Sequence, residues 1–354
     1  MLDAPSIISV ALYPILVSFF ATTILTYLSL PLIRKLKLFD DPLTHKHPAI
    51  IHTKPVPRGG GLPFFLGIIV TSALFITFTP KLAAIFAASA LALSVGLLDD
   101  KYDISPYIRF LMNIVCALII VTSGTTITFI TNPLGGILYL TDVGFPYFSE
   151  LITLLWIVWV MNMLNWSKGV DGQMPGIVFI SGIVIGALSM RFPLSDQNTF
   201  VAATMSFILA GSALGFLLFN FSPAKIFPGY GATAVYLLLS VVSILSGAKL
   251  ATAIMVMGVP MIDGIFTIGR RIISGRSPFL HDNQHLHHLL LRLGFTQRRI
   301  ALFYWLVSAI LGVTSLTLSS RGKLFAIIMI SIVIGGGITF LHFLLRDRDE
   351  KTRL

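Results

Sequence analysis

Long apolar runs recur along this chain and are separated by short polar segments. Eleven runs are centred near residues 18, 70, 90, 120, 157, 182, 210, 240, 260, 310 and 333. The runs are continuously apolar, whereas strands of an outer-membrane barrel would alternate over about ten residues, so helices are indicated. Each run has roughly the 17–25 residues that a helix needs to cross the hydrocarbon. The pattern predicts an all-α, polytopic integral membrane protein with about eleven transmembrane helices.

The composition agrees with a membrane protein and excludes most soluble classes. Of the 354 residues, 55% are hydrophobic and only 11% are charged, and the mean hydropathy is +0.89. Soluble domains carry about 25% charged residues, so this chain has too little charge to cover a water-facing surface. The single cysteine, Cys116, cannot form an internal disulfide. We expect one membrane-embedded domain over residues 1–354, although length alone would suggest two soluble domains.

Lysine and arginine residues are concentrated on one side of the predicted helices. With the N-terminus outside and the runs alternating in direction, 20 of the 25 Lys and Arg residues fall inside. The five that fall outside are Lys81, Arg191, Lys249, Arg321 and Lys323. Cytoplasmic loops carry such an excess of positive charge. We therefore expect an N-terminus outside the cell and a C-terminus in the cytoplasm.

The net charge of +10 bears on the partners of the chain. An excess of this size can indicate nucleic-acid binding, but here the charges lie between apolar runs. We expect the lipid bilayer and phosphates as partners, and no nucleic acid. Most polar residues that could carry chemistry fall in inside segments that would form one site: 34–61, 99–108, 165–174, 220–231 and 270–300.

The segment LLDDKYDIS ends one apolar run with two adjacent carboxylates, Asp99 and Asp100. Neighbouring carboxylates at a membrane boundary repel each other unless a cation, a base partner or a proton stabilises them. One interpretation is a Mg²⁺ site or a general base, because Mg²⁺ prefers hard oxygen ligands and substrate phosphates. The other is a solvated helix end.

Two further segments contain polar residues beside glycines. In NMLNWSKGVDGQMPG, Asn162 and Asn165 share a helix face, and Asp171 lies in a turn where the backbone can approach a ligand. The alternative is a polar clamp between helices. AKIFPGYGATA opens a later run with Gly229 and Gly231, which indicates an anion site at a helix N-terminus or a tight turn.

Charged and imidazole groups occur late in the chain. Asp263 lies inside an apolar run, where a carboxylate indicates a functional group or half of an ion pair. A later segment, GRSPFLHDNQHLHHLLLRLG, contains His281, His285, His287 and His288. Its spacing is not that of a zinc site, and its basic character suits a diphosphate better. Near the second run, IHTKPVPRGGGLPFF adds further cations, including Arg58.

The order of LLDDKYDIS, N..N...GVDG and SPF...QHLHH resembles that of the polyprenyl-phosphate N-acetylhexosamine-1-phosphate transferases, glycosyltransferase family 4. The resemblance extends from PVPRGGG to TQRR and is nearest to the undecaprenyl-phosphate GlcNAc-1-phosphate transferase branch. It implies that a UDP-sugar gives its sugar-1-phosphate to undecaprenyl phosphate, releasing UMP with Mg²⁺. The enzyme would serve cell-envelope polysaccharide synthesis in the inner (plasma) membrane. A homodimer is also left open.

The resemblance implies a role for each matching residue. Asp99, Asp100 and Asp171 match the family's catalytic and metal-binding acids. Asn165, His285, His287 and His288 match family residues that would bind the two substrates. We expect the cations Arg58 and Lys168 to bind the substrates as well.

Two positions depart from the family pattern. The family's second motif is N-x-x-N-x-x-D-G-x-D-G, and Lys168 occupies the position of its first Asp. The third motif is F-x-G-D-x-G-S, and Tyr230 occupies the position of its Asp. In relatives these two Asp help to hold Mg²⁺. Replacing two −1 groups by +1 and 0 changes the site by about +3 charges, which weakens the binding of a divalent cation.

The departures leave two interpretations of the site. Either the Lys168 ammonium takes over the work of the metal at the phosphates, or the chain binds polyprenyl phosphate or nucleotide sugar without turnover. A transporter is a third hypothesis, but most polar residues lie at one face rather than near the midplane.

Overall fold

A computed structural model describes residues 7–42, 52, 54–132, 135–245, 250–279 and 283–353. Within these ranges a π-helical turn, Ile8–Leu12, precedes thirteen α-helices. In chain order, α1 to α13 are Tyr13–Lys35, Gly61–Phe75, Pro80–Tyr102, Pro106–Thr122, Phe148–Trp166, Gln173–Ser189, Gln197–Asn220, Thr233–Leu245, Leu250–Val256, Gly258–Ile273, Leu286–Arg292, Gln297–Thr317 and Ser320–Arg353. The prediction of an all-α, polytopic membrane protein is confirmed.

Two 3-10 turns, Leu140–Asp142 and Tyr230–Ala232, and two pairs of short antiparallel strands accompany the helices. Strands β1 (Phe39–Asp40) and β2 (Val56–Pro57) pair near the first long polar segment. Strands β3 (Phe129–Thr131) and β4 (Ile137–Tyr139) pair in the connection between α4 and α5, with Phe129 opposite Tyr139.

All eleven predicted run centres fall on apolar helices, but the helices differ in length. Six described helices are long and apolar enough to cross a membrane, and a seventh span is formed if α9 and α10, which meet at 82°, are counted together. Four shorter apolar helices account for the remaining centres. The expected length is wrong for α2 and α8, which have 15 and 13 residues, because adjoining Gly-rich turns take up part of each run.

Small residues let the helices of the core approach closely. A Cβ on Gly182 of α6 would lie 2.5 Å from the Ser206 carbonyl of α7. One on Gly215 of α7 would lie 2.4 Å from the Phe19 carbonyl of α1. Lipid tails give no hydrophobic drive for helix association, so such close packing holds membrane helices together. Helix α8 is buried on all sides, while α13 exposes large apolar side chains such as Phe325 and Val333.

Candidate active site

The site is built on a backbone pairing between two segments that are distant in sequence. The Phe227 N–H donates to the Pro57 carbonyl at 2.8 Å, and the Gly60 N–H donates to the Phe227 carbonyl at 2.9 Å. The Gly61 N–H donates to the Pro228 carbonyl at 2.8 Å. This pairing joins segment 57–61 to the turn before α8 and positions Arg58 over the end of α3.

Glycines are required where the turn at residues 229–232 meets α2 and α3. A Cβ on Gly61 would lie 2.2 Å from the Gly231 carbonyl carbon, and one on Gly96 would lie 2.4 Å from the Gly231 Cα. Gly229 has φ +67°, and a Cβ there would lie 2.1 Å from Asp100 Oδ2. The glycines of PRGGG and FPGYG therefore bring the turn against the acidic pair.

Two arginines neutralise the acidic pair. Asp99 is fully buried, and its Oδ1 and Oδ2 accept from Arg109 Nη1 at 3.1 and 3.2 Å. Arg58 Nε lies 2.8 Å from Asp100 Oδ1, and its Nη2 lies 3.6 Å from Asp99 Oδ2. Asp100 Oδ1 also accepts from the Tyr230 N–H at 2.7 Å. The pair is thus not a solvated helix end, because buried carboxylates persist only when paired and hydrogen-bonded.

Arg109 and Asn113 were not predicted as site residues. The Arg109 guanidinium lies 5.1 Å from the centroid of the Tyr230 ring, and Asn113 Nδ2 donates to the Tyr230 hydroxyl at 3.2 Å. Both occupy one face of α4, four residues apart. A signal was available, because an Arg and an Asn in an apolar helix are costly unless they have partners.

Lys168 lies on the other side of the same tyrosine. Its Nζ is 5.4 Å from the centroid of the Tyr230 ring. The pKa of Lys168 is lowered to about 7, chiefly by burial and then by the nearby Arg58 guanidinium, while Asp100 and Asp99 act in the opposite direction. In the described part of the chain, Lys168 makes no ion pair with a carboxylate within 4 Å. Its ammonium is therefore the available cation of the group.

Asp171 ties the same loop to its neighbours. Its Oδ2 accepts from the Ala224 N–H at 3.0 Å, and its own N–H donates to Gln297 Oε1 at 3.1 Å. Burial raises the pKa of Asp171, and hydrogen bonds from the Ala224 N–H and the Ser222 side chain oppose that rise. These bonds join the loop after α5 to the segment after α7 and to the start of α12.

The histidine segment is held by the carboxylate inside α10. Asp263 Oδ2 lies 2.8 Å from His285 Nδ1, and its Oδ1 accepts from the Leu286 N–H at 2.9 Å. The intramembrane carboxylate is therefore one half of a pair that fixes the start of α11. His288 is buried and its ring centroid lies 4.3 Å from that of His287. His281 lies outside the described residues.

His287 connects this segment to the Lys168 loop. A Cβ on Gly169 would lie 2.2 Å from His287 Nε2, so the ring rests against the backbone beside Lys168. Burial, together with His288 and His285, holds the pKa of His287 well below its usual range and keeps the ring neutral. Among the described residues, His287 Nδ1 and Asn165 Oδ1 are buried without a hydrogen-bond partner. Both atoms can serve a polar ligand.

The predicted site residues thus lie at one end of the helices. Asp99, Asp100, Arg58 and Lys168 surround Tyr230, and His287 reaches the same loop through Gly169. These contacts bring the loops together, while a common cytoplasmic site and the chemical role of each residue stay predictions.

A divalent metal does not fit this arrangement. In the described ranges, no three His, Cys, Asp or Glu side chains form a group that could hold a metal ion. The predicted ligands Asp99, Asp100 and Asp171 therefore do not form a common set. Both oxygens of Asp99 accept from Arg109. Asp100 Oδ1 pairs with Arg58 and accepts from the Tyr230 N–H. Asp171 accepts from the Ala224 N–H.

Comparisons with known proteins define the class of this membrane protein. The family model of Glycosyl transferase family 4 matches residues 82–247. The decaprenyl-phosphate N-acetylglucosaminephosphotransferase of Mycobacterium leprae (strain TN) is 31% identical over 361 residues, covering 92% of this chain and 89% of the relative. The enzyme of the same name from Mycobacterium tuberculosis (strain ATCC 25618 / H37Rv) is also 31% identical, over 360 residues, covering 92% and 88%.

A more distant relative carries a related name. The undecaprenyl-phosphate alpha-N-acetylglucosaminyl 1-phosphate transferase of Escherichia coli (strain K12) is 26% identical over 313 residues, covering 83% of this chain and 80% of the relative. The chain belongs to glycosyl transferase family 4. It is a multi-pass membrane protein and a sugar-phosphate transferase of that family.

Proposed function

We propose that this protein transfers GlcNAc-1-phosphate from UDP-GlcNAc to a polyprenyl phosphate, undecaprenyl phosphate by resemblance. An oxygen of the lipid phosphate attacks the β-phosphorus of the UDP-sugar and forms a new P–O bond. The P–O bond to the α-phosphate breaks, and UMP leaves with that oxygen. The names of the relatives support both the sugar and the class of lipid.

The observation that carries the proposal is the group of cations around Asp99 and Asp100. Arg58, Arg109 and Lys168 supply three positive charges against two carboxylates. Phosphoryl transfer depends on positioning and on neutralising charge at the phosphates. A group with a net positive charge at the end of apolar helices is suited to a lipid phosphate and a nucleotide diphosphate together.

The side chains would divide the work in the following way. Asp99 and Asp100 hold the two arginines in fixed orientations, and Lys168 presents its ammonium to the phosphates. His287 and Asn165 offer polar atoms to the diphosphate or the sugar. Asp171 shapes the loop that carries Lys168, through its bond to Ala224.

The orientation in the membrane belongs to the same proposal. The bias of Lys and Arg supports a site on the cytoplasmic side of the bacterial plasma membrane, with the N-terminus outside and the C-terminus inside. UDP-sugars are cytoplasmic, so the nucleotide would enter from that side and the lipid from the bilayer. The product would feed the synthesis of a cell-envelope polysaccharide.

The test is transfer by the full-length protein purified in detergent. UDP-GlcNAc and undecaprenyl phosphate should give UMP and undecaprenyl-diphosphate GlcNAc, and a panel of UDP-HexNAc donors should rank UDP-GlcNAc first. No lipid product from any donor, with or without Mg²⁺, would refute the proposal.

A second candidate is a protein that binds these ligands without turnover. The observation that favours it is Lys168 and Tyr230 at positions where the family pattern has Asp. It predicts saturable binding of UDP-GlcNAc and no UMP release. Turnover by the unaltered chain excludes it.

A further inference from the structure

We infer that this site neutralises the reacting phosphates with side-chain cations in place of a divalent metal ion. The inference rests on the proposed function and concerns Arg58, Arg109 and Lys168. It makes this chain a metal-independent member of its family.

Six side chains around the site set its net charge. With Asp at positions 168 and 230, as in the family pattern, Arg58, Arg109, Asp99 and Asp100 would leave two positive and four negative charges, a sum of −2. A divalent cation neutralises that sum. With Lys168 protonated and Tyr230 neutral there are three positive and two negative charges, a sum of +1. Such a group repels Mg²⁺ and attracts a diphosphate directly.

The two departures are in contact. Lys168 Nζ faces the Tyr230 ring at 5.4 Å, and the Arg109 guanidinium faces it at 5.1 Å. An aromatic ring attracts cations through its face. The Tyr230 ring therefore attracts the Lys168 and Arg109 cations, whereas an Asp at position 230 would help to bind a metal ion. The two departures from the family pattern thus act together.

Most of the carboxylate oxygens of Asp99 and Asp100 already have hydrogen-bond or ion-pair partners. Asp99 gives both oxygens to Arg109, and Asp100 Oδ1 accepts from Arg58 and from the Tyr230 N–H. A metal ion would have to displace an arginine from a buried pair, which is strongly unfavourable.

The experiment compares the full-length protein with and without chelator, using binding and turnover as separate measurements. UDP-GlcNAc binding by calorimetry and transfer to undecaprenyl phosphate should each change less than about twofold when EDTA replaces Mg²⁺. Mn²⁺, followed by electron paramagnetic resonance, should not bind. Lys168→Met should weaken UDP-GlcNAc binding about tenfold or more, which corresponds to losing one strong charge contact. The matched control is Lys101→Met, which removes an exposed lysine near the same helix end.

The double variant Lys168→Asp/Tyr230→Asp tests the reverse direction. It should gain Mn²⁺ binding, and its binding of UDP-GlcNAc should become sensitive to EDTA. Loss of wild-type binding or turnover in EDTA, or stoichiometric Mn²⁺ binding by the wild type, would overturn the inference. Binding in EDTA with no transfer in either EDTA or Mg²⁺ would refute the proposed function alone. Transfer in Mg²⁺ that is lost in EDTA would refute this inference alone.

A separate observation at the opposite end of the helices carries a second inference. A cavity of about 450 Å³ opens there, lined by Lys81 at the start of α3 and Lys323 at the start of α13. Lys81 and Asp99 are 18 residues apart on α3, which at about 1.5 Å per residue separates the cavity from the candidate active site by about 27 Å. The cavity is therefore independent of the transfer site.

The two lysines of this cavity have neutral partners. Lys81 Nζ donates to Asn198 Oδ1 at 3.4 Å, and Lys323 Nζ donates to Thr252 Oγ1 at 3.0 Å. Asp196 acts on Lys81 from a distance, but in the described part of the chain neither lysine lies within 4 Å of a carboxylate. The rest of the lining joins Ile and Leu side chains from α8, α9 and α13 and Phe129 of β3 to several Thr, Ser and Asn side chains.

We propose that this cavity binds the phosphate of an anionic membrane lipid, with the lipid chain against the apolar wall. Two half-buried cations above an apolar lining match a charged head group joined to a hydrocarbon chain. Inorganic phosphate shares the head-group chemistry, so the test must separate the two sources.

Thermal unfolding in nanodiscs tests this proposal. Phosphatidylglycerol should raise the unfolding temperature of the wild type over phosphatidylcholine, and Lys81→Gln/Lys323→Gln should lose that rise. Arg321→Gln, which removes an outside cation that does not line the cavity, should keep it. Inorganic phosphate alone should have no effect. An equal rise with phosphate alone would refute the lipid as ligand, and an unchanged double variant would refute the site.

Discussion

Lys168 stands beside Tyr230 with two arginine–aspartate pairs around them, and its protonation sets the charge that a diphosphate meets. Burial and Arg58 lower its pKa to about 7 against the pull of Asp100 and Asp99. A bound diphosphate stabilises the ammonium and raises that pKa again. At a pH above this lowered pKa, Lys168 must therefore take up a proton when the ligand binds.

The binding of UDP-GlcNAc should weaken as the pH rises through about 7, because less of Lys168 is charged. Calorimetric titrations at about pH 6 and about pH 8.5 should differ by about tenfold or more in affinity, which is about 1.4 kcal/mol. The diphosphate of UDP-GlcNAc is esterified at both ends and does not titrate in this range.

Lys168→Arg provides the matched control for the pH series. Its guanidinium stays charged throughout, so its affinity should not follow pH in this range. An identical slope in this variant would contradict the assignment to Lys168.

Arg109 should matter for stability as well as for activity. Arg109→Gln leaves the fully buried Asp99 with a weaker partner, and removal of one member of a buried pair costs about 3–5 kcal/mol. Thermal unfolding in detergent should show the loss. Adding Asp99→Asn removes the charge that Arg109 no longer neutralises, and should restore much of the unfolding temperature without restoring transfer. Failure of the second substitution to recover stability would contradict the pairing.

At the scale of elements, the turn before α8 depends on Gly229. Gly229→Ala should abolish transfer, since its Cβ would lie 2.1 Å from Asp100 Oδ2 and displace the acidic pair. Gly229 combines φ +67° with ψ −173°, which essentially only glycine adopts, so strain adds to this contact. Gly275 is a control for a positive φ alone, +66°, with nothing within 4 Å of an added Cβ. Gly275→Ala should cost only about 1 kcal/mol of backbone strain and keep transfer. Equal losses in the two variants would show that the positive φ, not the contact with Asp100, is responsible.

Helix α11 depends in the same way on a carboxylate from α10. Asp263→Ala should free His285 and the Leu286 N–H, which now bond to its two oxygens. The start of α11 would loosen, so KM for the UDP-sugar should rise more than kcat falls. Steady-state kinetics measures this split. A fall in kcat at constant KM would assign Asp263 to the reaction itself.

The apolar runs predict the positions of the helices well, and the polar residues predict only part of the site. All eleven run centres fall on helices, because a bilayer-spanning helix must be apolar along its whole length. The lengths of α2 and α8 were overestimated, because the runs continue into Gly-rich turns that bring Arg58 and Tyr230 to the site. The β3–β4 hairpin was not predicted, since strands of three residues leave no clear alternation.

At the scale of the whole molecule, the site is a convergence of segments far apart in sequence. Asp99 and Asp100 were identified from their position at the end of a run. Their arginine partners could not be assigned, because the sequence does not show that segment 57–61 pairs with residues 227 and 228. Arg109 was counted as an inside charge, but only the packing of α4 on α3 reveals its contact with Asp99.

The membrane orientation gives a prediction at this scale. A cysteine at Lys101, beside the site, should react with an impermeant maleimide only after cells are opened. A cysteine at Tyr139, in the β3–β4 hairpin, should react in intact cells. The native Cys116 is buried and should not react with either protocol. The reverse accessibility would contradict an outside N-terminus.

The most direct test of the account is the rate at which the purified full-length protein transfers GlcNAc-1-phosphate to undecaprenyl phosphate in EDTA. We expect lipid product and UMP in equal amounts, at a rate within about twofold of that in Mg²⁺, and a large loss for Lys168→Met. A protein that neither binds UDP-GlcNAc nor forms product under either condition would contradict the claim that these loops form a cation-lined site for two phosphates.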